Sequence, residues 1–273
     1  MARNPNARNP SSRKTLRPLS VGNIVSSSVQ IYRDRLGEYL LQSLFAYLWI
    51  FVPIYGWAKY AMICGLMSRR AFQALIGQPE TVPQARAKVR SQMWAFLSAG
   101  LQIGLRMILI YFGGAIVIAI AGALLIAVFP PAGVVLTVLL VIALIITLIR
   151  LYSRWFVVEV PLAVESGLTG TQSINRSWAL TKKSVGRVQI VVVIAFLVTL
   201  PLVFLTGYLP SFLPLFLPQE SILTSIISLI SIPVSLIGGA LVMPFWQIIK
   251  AVVYYDLRSR QEGLDLELRS RQA

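Results

Sequence analysis

The sequence contains no histidine and a single cysteine, Cys64. Without histidine there is no Ser/His or Cys/His nucleophilic pair, no imidazole metal ligand, and no side chain that ordinarily shuttles protons near neutral pH. One cysteine excludes an intramolecular disulfide and a cysteine-based metal cluster. Carboxylates are scarce as well, with 10 Asp plus Glu against 25 Lys plus Arg, and charged residues of either sign are only 13% of the chain. Soluble domains carry about twice that charged fraction. What replaces charge is apolar surface, 56% of the residues, so the composition belongs in a bilayer.

The net charge of +15 would suggest nucleic acid as the partner of a soluble protein. Here the basic residues are dispersed among loops, with no zinc-finger, basic-helix or aromatic RNA-binding pattern, so no nucleic acid is expected. The expected partner is a lipid bilayer with anionic headgroups, to which each nearby Lys or Arg contributes about 1 kcal/mol, with a membrane protein complex as a further candidate. No cofactor and no metal are expected.

Stretches able to cross a hydrocarbon core of about 30 Å need roughly 20 apolar residues. They fall into three hairpins, at about 37–69 turning at "FVPIYG", 107–155 turning at "FPPAG", and 187–258 turning through "LPSFLPLFLPQE". The expected fold is an all-α integral membrane protein with six transmembrane helices. Residues 19–262 form its single transmembrane domain. Residues 1–18 read as a disordered basic cytosolic tail, with an organelle transit peptide as the alternative, and 263–273 as a short C-terminal tail. The first apolar run starts near Leu36, too late for a secretory signal peptide.

The turns inside the hairpins carry no Lys or Arg, whereas the segments outside them do, so both termini and both long connections are expected in the cytoplasm. Each hairpin follows a segment mixing basic and apolar residues, "VGNIVSSSVQIYRDRLG", "VPQARAKVRSQMWAFLSAG" and "TGTQSINRSWALTKKSVG", suited to an amphipathic interfacial helix. Starting the second hairpin at Met107 leaves Arg106 at the membrane edge.

Residues 53–70 align without a gap on 244–261, matching Pro53 with Pro244, Lys59 with Lys250, Ser68 with Ser259 and Arg69 with Arg260. "LYSR" at 151–154 is a third Leu-x-Ser-Arg. An internal repeat of an interfacial helix plus two membrane helices follows. Arg69, Arg154 and Arg260 then mark where helices leave the membrane, with alkyl chains on apolar surface and guanidinium groups among phosphates. Together with Arg33, Arg176, Lys182 and Lys183 they are the expected contacts to anionic lipid or a partner. Lys59 and Lys250 read as outer-leaflet residues, either snorkelling or pairing as an anion site. Asp256 does not recur, and its candidate partners are Arg260 one turn on and Arg150 of the second hairpin.

Within "VEVPLAVESGLTGTQSINRSWALTKKSVGRV", residues Glu165, Gly167, Ser177, Trp178, Leu180 and Thr181 form a helix end, a Val-Glu-Gly-like turn and an amphipathic segment. This pattern, with the flanking "LSVGNIVSSSVQIYRDRLG" and "YYDLRSRQEGLDLE", resembles the bacterial membrane-domain family named for the glycerophosphoryl diester phosphodiesterase membrane region. Ser166 and Leu168 depart from its tighter Glu-Gly turn. The resemblance implies a multi-span membrane module, without the catalytic domain to which some members are fused and whose histidines are absent here. The expected function is a non-enzymatic scaffold or accessory protein. The alternative is a carrier or channel for a small solute or lipid, opened at Gly113, Gly114, Gly238, Gly239, Pro201 and Pro233.

Overall fold

The computed structural model describes residues 19–218 and 221–264, and every element among them is helical. The tails expected at 1–18 and 265–273 lie outside the described residues. Helix α1 (Val21–Asp34) starts at Ser20, whose hydroxyl accepts the Asn23 N–H at 3.1 Å. Helices α2 (Leu36–Ile50) and α3 (Tyr55–Leu75) are joined by a tight turn at 51–54. The short helices α4 (Val82–Arg90) and α8 (Gly170–Thr181) each open on a capping box, Thr81 with Gln84 and Thr169 with Gln172.

Helices α5 (Met93–Val128) and α6 (Pro130–Trp155) form an antiparallel pair, α6 opening on prolines whose missing N–H groups have no partner in a first turn anyway. A six-residue α7 (Glu159–Val164) leads to α8. Helix α9 (Val185–Val203) continues through a π turn (Phe204–Tyr208), α10 (Leu209–Phe212) and a 3-10 turn (Leu213–Phe216). Helix α11 (Ile222–Glu262) then returns alongside it.

The 41 residues of α11 make a rod about 61 Å long, twice the thickness of a hydrocarbon core. Exposure divides it. Up to Ile237 it presents Ile222, Leu223, Ile226, Leu229, Ile230 and Ile232 outward, whereas from Gly238 onward most of it is buried. The buried half is the axis of a packed base that also takes in α1, α3, α4, α7, α8 and the near ends of α5 and α9. Helix α3 is its second axis. It runs parallel to α11, with the Ser68 hydroxyl donating to the Gln247 side chain at 3.0 Å and Phe72 against Tyr254, ring centroids 5.5 Å apart.

Two apolar hairpins rise from the base. The arms of α5 and α6 touch mainly each other, seated where Gly114 meets Leu144, Gly122 meets Thr137 and Gly133 meets the Ile126 backbone. In the second, Gly238 of α11 accommodates Thr206, and Ser235 donates to the Thr206 carbonyl, which lies in the π turn, at 3.0 Å.

Four helical stretches are long and apolar enough to cross a membrane: Met93–Val128, Pro130–Val164, Val185–Phe216 and Ile222–Glu262. This is consistent with a multi-pass membrane protein. Helices α2 and α3 differ from the expectation that they span. With 15 residues, α2 reaches about 22 Å. In α3 every residue from 62 to 72 is buried, the signature of a core helix, and the run includes Arg69 and Arg70.

Gly170 sets the fit of α8 on α5. A methyl group there would lie 2.9 Å from the Ala99 amide nitrogen and 3.0 Å from the Ala95 carbonyl oxygen, both backbone atoms that cannot swing aside. Gly170→Ala is expected to destabilise the base by about 1–3 kcal/mol, as overpacking does, read as a lowered melting temperature of the purified protein, while the equivalent change at open Gly186 has no such effect.

Candidate functional site

Charge in the base is organised around buried carboxylates. Asp256, 1% exposed, accepts the Leu19 N–H at 2.7 Å, Arg187 at 2.9 Å and Arg260 at 3.0 Å. Both guanidinium groups also donate to the Leu19 carbonyl, Arg260 at 2.9 Å. One aspartate thereby holds the start of α1, the start of α9 and the end of α11.

A second cluster joins α7, α8 and α11. Glu165 pairs with Arg176 at 3.2 Å and accepts the Tyr254 hydroxyl, while Glu262 accepts Arg176 at 2.9 Å and Arg258 at 2.8 Å. A third ties α3 to α4. The Arg69 guanidinium grips Glu80 through two bonds of 2.7 and 2.9 Å and donates to the Ala163 carbonyl at 2.6 Å, and Lys88 closes on Glu80 at 2.7 Å. Hydrogen bonding from Arg69 holds the Glu80 carboxyl below the usual carboxylate range. Alongside, buried Arg70 reaches Glu38 and lies 5.5 Å over the Tyr39 ring.

This geometry revises the expected roles of several residues. Arg69 (6% exposed) is buried and engaged by an internal carboxylate, unlike the exposed headgroup contact expected, while half-buried Arg176 and exposed Arg260 are also held by internal carboxylates. The three Leu-x-Ser-Arg arginines share a different feature: each donates to a backbone carbonyl, Arg69 to Ala163, Arg154 to Trp178 at 3.2 Å, and Arg260 to Leu19. Arg154 also stacks on Trp178 at 4.6 Å.

Asp256 takes Arg260 as one partner, but its second is Arg187, and Arg150 stands exposed on α6 without an ion pair among the described residues. Lys250 is not near the turn of its hairpin. It lies 28 residues into α11, about 42 Å from that helix's start, and pairs with Glu159 at 2.9 Å. Lys59 is apart from it near the start of α3, its ammonium 5.8 Å from the Trp49 ring and 5.6 Å from the Tyr55 ring.

Among the described residues, Glu38, Glu80, Glu159, Glu165, Asp256 and Glu262 all hold a cation, which leaves Asp34 as the described carboxylate without one. Several cations have no such partner there: Arg33, Arg35, Arg86, Arg90, Arg106, Arg150, Lys182 and Lys183, all but half-buried Arg35 being exposed. Two of them measure the α5–α6 hairpin. Arg106 lies 22 residues before Val128 and Arg150 lies 20 after Pro130, or about 33 and 30 Å of helix, one hydrocarbon thickness. Lys182 and Lys183 follow Thr181, whose hydroxyl donates to the Arg154 carbonyl at 3.3 Å, so the end of α6 gathers Arg150, Arg154 and both lysines.

Compared with known proteins, the chain matches no family model, no curated protein and no solved structure.

Asp256→Asn removes the charge that compensates Arg187 and Arg260, and breaking a buried pair of this kind costs about 3–5 kcal/mol. A large drop in melting temperature is expected, against no measurable change for Arg150→Gln. Glu80 adds acid sensitivity. Its folded carboxyl titrates below the ordinary value of about 4.3, so its contribution is complete above that pH and is lost as pH falls through the lowered folded value. Melting curves between pH 7 and 3 should show Glu80→Gln less stable than the parent at neutral pH, with the gap closing toward pH 3.

Proposed function

We propose that the protein is a non-enzymatic membrane scaffold whose base lies on the cytoplasmic side and whose unpaired cations bind anionic lipid headgroups, leaving the far face of the base for a membrane protein complex. The observation that carries this reading is the position of Arg106 and Arg150. Each is exposed and unpaired, one hydrocarbon thickness from the tip of a hairpin that holds no other charge. An arginine there costs little, because its guanidinium reaches phosphates while its alkyl chain lies on apolar helix. The expected topology keeps both termini cytoplasmic, and the pairing of Leu19 with Asp256 and Arg260 supports a shared side.

The resemblance to a membrane-domain family, here without the catalytic domain to which some members are fused, fits the same reading. So does the engagement of the described carboxylates other than Asp34 by cations, since a carboxylate acting as general base must be free to take a proton. The carrier alternative drew on glycines that open helices. Gly114, Gly238 and Gly239 instead receive Leu144, Thr206 and Tyr47 in close packing, which favours the scaffold.

Lipid retention tests the proposal. Protein purified from mixed phosphatidylcholine and phosphatidylglycerol vesicles should retain the anionic lipid several-fold over the zwitterionic one, less so at high salt. The combined variant Arg106→Gln, Arg150→Gln, Lys182→Gln, Lys183→Gln should lose that preference while keeping the parent's melting temperature. Equal retention of both lipids by the parent would overturn the reading.

A further inference from the structure

The first hairpin presents an apolar tip that neither the base nor the long hairpins cover. Phe51 is 69% exposed and Ile54 61%, with Leu48, Val52 and Trp57 also outward. The turn is held in place: the Trp57 indole N–H donates to the Ile50 carbonyl at 3.1 Å, and Ile54 takes a φ of 58°, which a β-branched residue adopts only when its surroundings impose it. A contiguous apolar patch on a built turn marks a contact with lipid or protein.

Its depth follows from α11, which serves as a ruler. Ser43 of α2 donates to the Ala240 carbonyl, and Ser68 of α3 to Gln247. Seven residues separate Ser43 from Ile50, and the same count back along α11 from Ala240 reaches Pro233. Thirteen residues separate Tyr55 from Ser68, and the same count back from Gln247 reaches Val234. Two independent contacts therefore place the tip beside 233–234. That is 11 or 12 residues, about 16–18 Å, short of the first residue of α11, and any tilt between the helices shortens the reach further.

A hydrocarbon core of about 30 Å takes up roughly 20 residues of α11 from its exposed start, to about Leu241. There the burial changes, and there Tyr32, next to Arg33, donates to the Leu241 carbonyl at 2.7 Å. The tip stands only seven or eight residues beyond, about 11 Å, close to the immersion of roughly 5–10 Å typical of interfacial helices.

We infer that the α2–α3 hairpin enters one leaflet only, the leaflet next to the base, and that its partner is the lipid of that leaflet. Phe51, Val52 and Ile54 sit among its acyl chains. Trp49, Tyr55 and Trp57 flank the turn. Lys59 turns its ammonium toward the tip, against two of those rings, a cation–π contact that offsets part of its desolvation. Two helices, each about 10 Å across, then displace lipid from one leaflet with no counterpart in the other. The inference rests on the proposed reading that the α5–α6 and α9–α11 hairpins cross the bilayer.

The experiment uses full-length protein with Cys64→Ala and one introduced cysteine, Phe51→Cys, Ile54→Cys or, as a reference for a far-side tip, Phe129→Cys, in sealed vesicles sorted so that the base faces outward. Phe129→Cys is expected to react with a membrane-impermeant maleimide only after permeabilisation. Phe51→Cys and Ile54→Cys are expected to react neither before nor after, and a fluorophore attached there beforehand should be quenched more by 16-doxyl than by 5-doxyl lipid, because a tip about 11 Å into a leaflet of about 15 Å lies near the midplane. Reaction of Phe51→Cys and Ile54→Cys only after permeabilisation would make the hairpin a full span. Reaction from the base side in sealed vesicles, or stronger quenching by 5-doxyl lipid, would equally overturn the one-leaflet placement. Reaction of Phe129→Cys in sealed vesicles would instead contradict the spanning hairpin, and so separates the two failures.

Discussion

A single desolvated carboxylate organises the molecule. Asp256, buried in the base, is surrounded by two guanidinium groups and one backbone N–H, the compensation that a buried carboxylate needs. Those three donors come from segments far apart in sequence: Leu19 ahead of α1, Arg187 at the start of α9, and Arg260 on α11 itself. Because Arg187 and Arg260 also donate to the Leu19 carbonyl, moving any one of them strands the others. The position of α1 along α11, and with it Tyr32 beside Leu241, follows from this clamp.

The same rule sorts the rest of the charge. A carboxylate leaving water needs a partner with good geometry, whereas a cation at a membrane surface finds partners in the lipid. Glu80, Glu165 and Glu262 draw Arg69, Arg176 and Arg258 inward. The strongly positive balance of the chain leaves the remaining cations outside, and they close the α5–α6 hairpin one hydrocarbon thickness from its tip. Scarcity of acid is thus a structural fact: the described carboxylates, Asp34 apart, hold the base together, and the excess cations are left at its surface.

Much of the α-helical plan was legible in the sequence. "FPPAG" is where α5 turns into α6, because prolines start helices and cannot continue them, and "FVPIYG" contains the α2–α3 turn. The short basic segments ahead of the hairpins are helices α1, α4 and α8, two of them marked by Thr-x-x-Gln caps. Hydropathy fails on α3 and the second half of α11, where apolar runs buried in protein look like apolar runs buried in lipid. Lys250 shows the consequence. Taken as near a turn because it follows Pro244, it lies deep along one unbroken helix that tolerates that proline. Asp256 does pair with Arg260 as its spacing suggests, but its second partner was hidden for another reason, since 69 residues separate it from Arg187. A usable signal did exist: both residues sit near the foot of an arm of the same hairpin. Local spacing favours Arg260, while matching distances from the turn favours Arg187.

A double-mutant cycle between Asp256→Asn and Arg187→Gln, measured by reversible unfolding of the full-length protein in detergent, tests the central clamp most directly. The account requires a coupling energy of about 1–3 kcal/mol between these residues, in the range found for groups sharing one network, and none between Asp256 and Arg150. Additive effects of Asp256→Asn and Arg187→Gln, within about 0.3 kcal/mol, would show that the base is held together by something else.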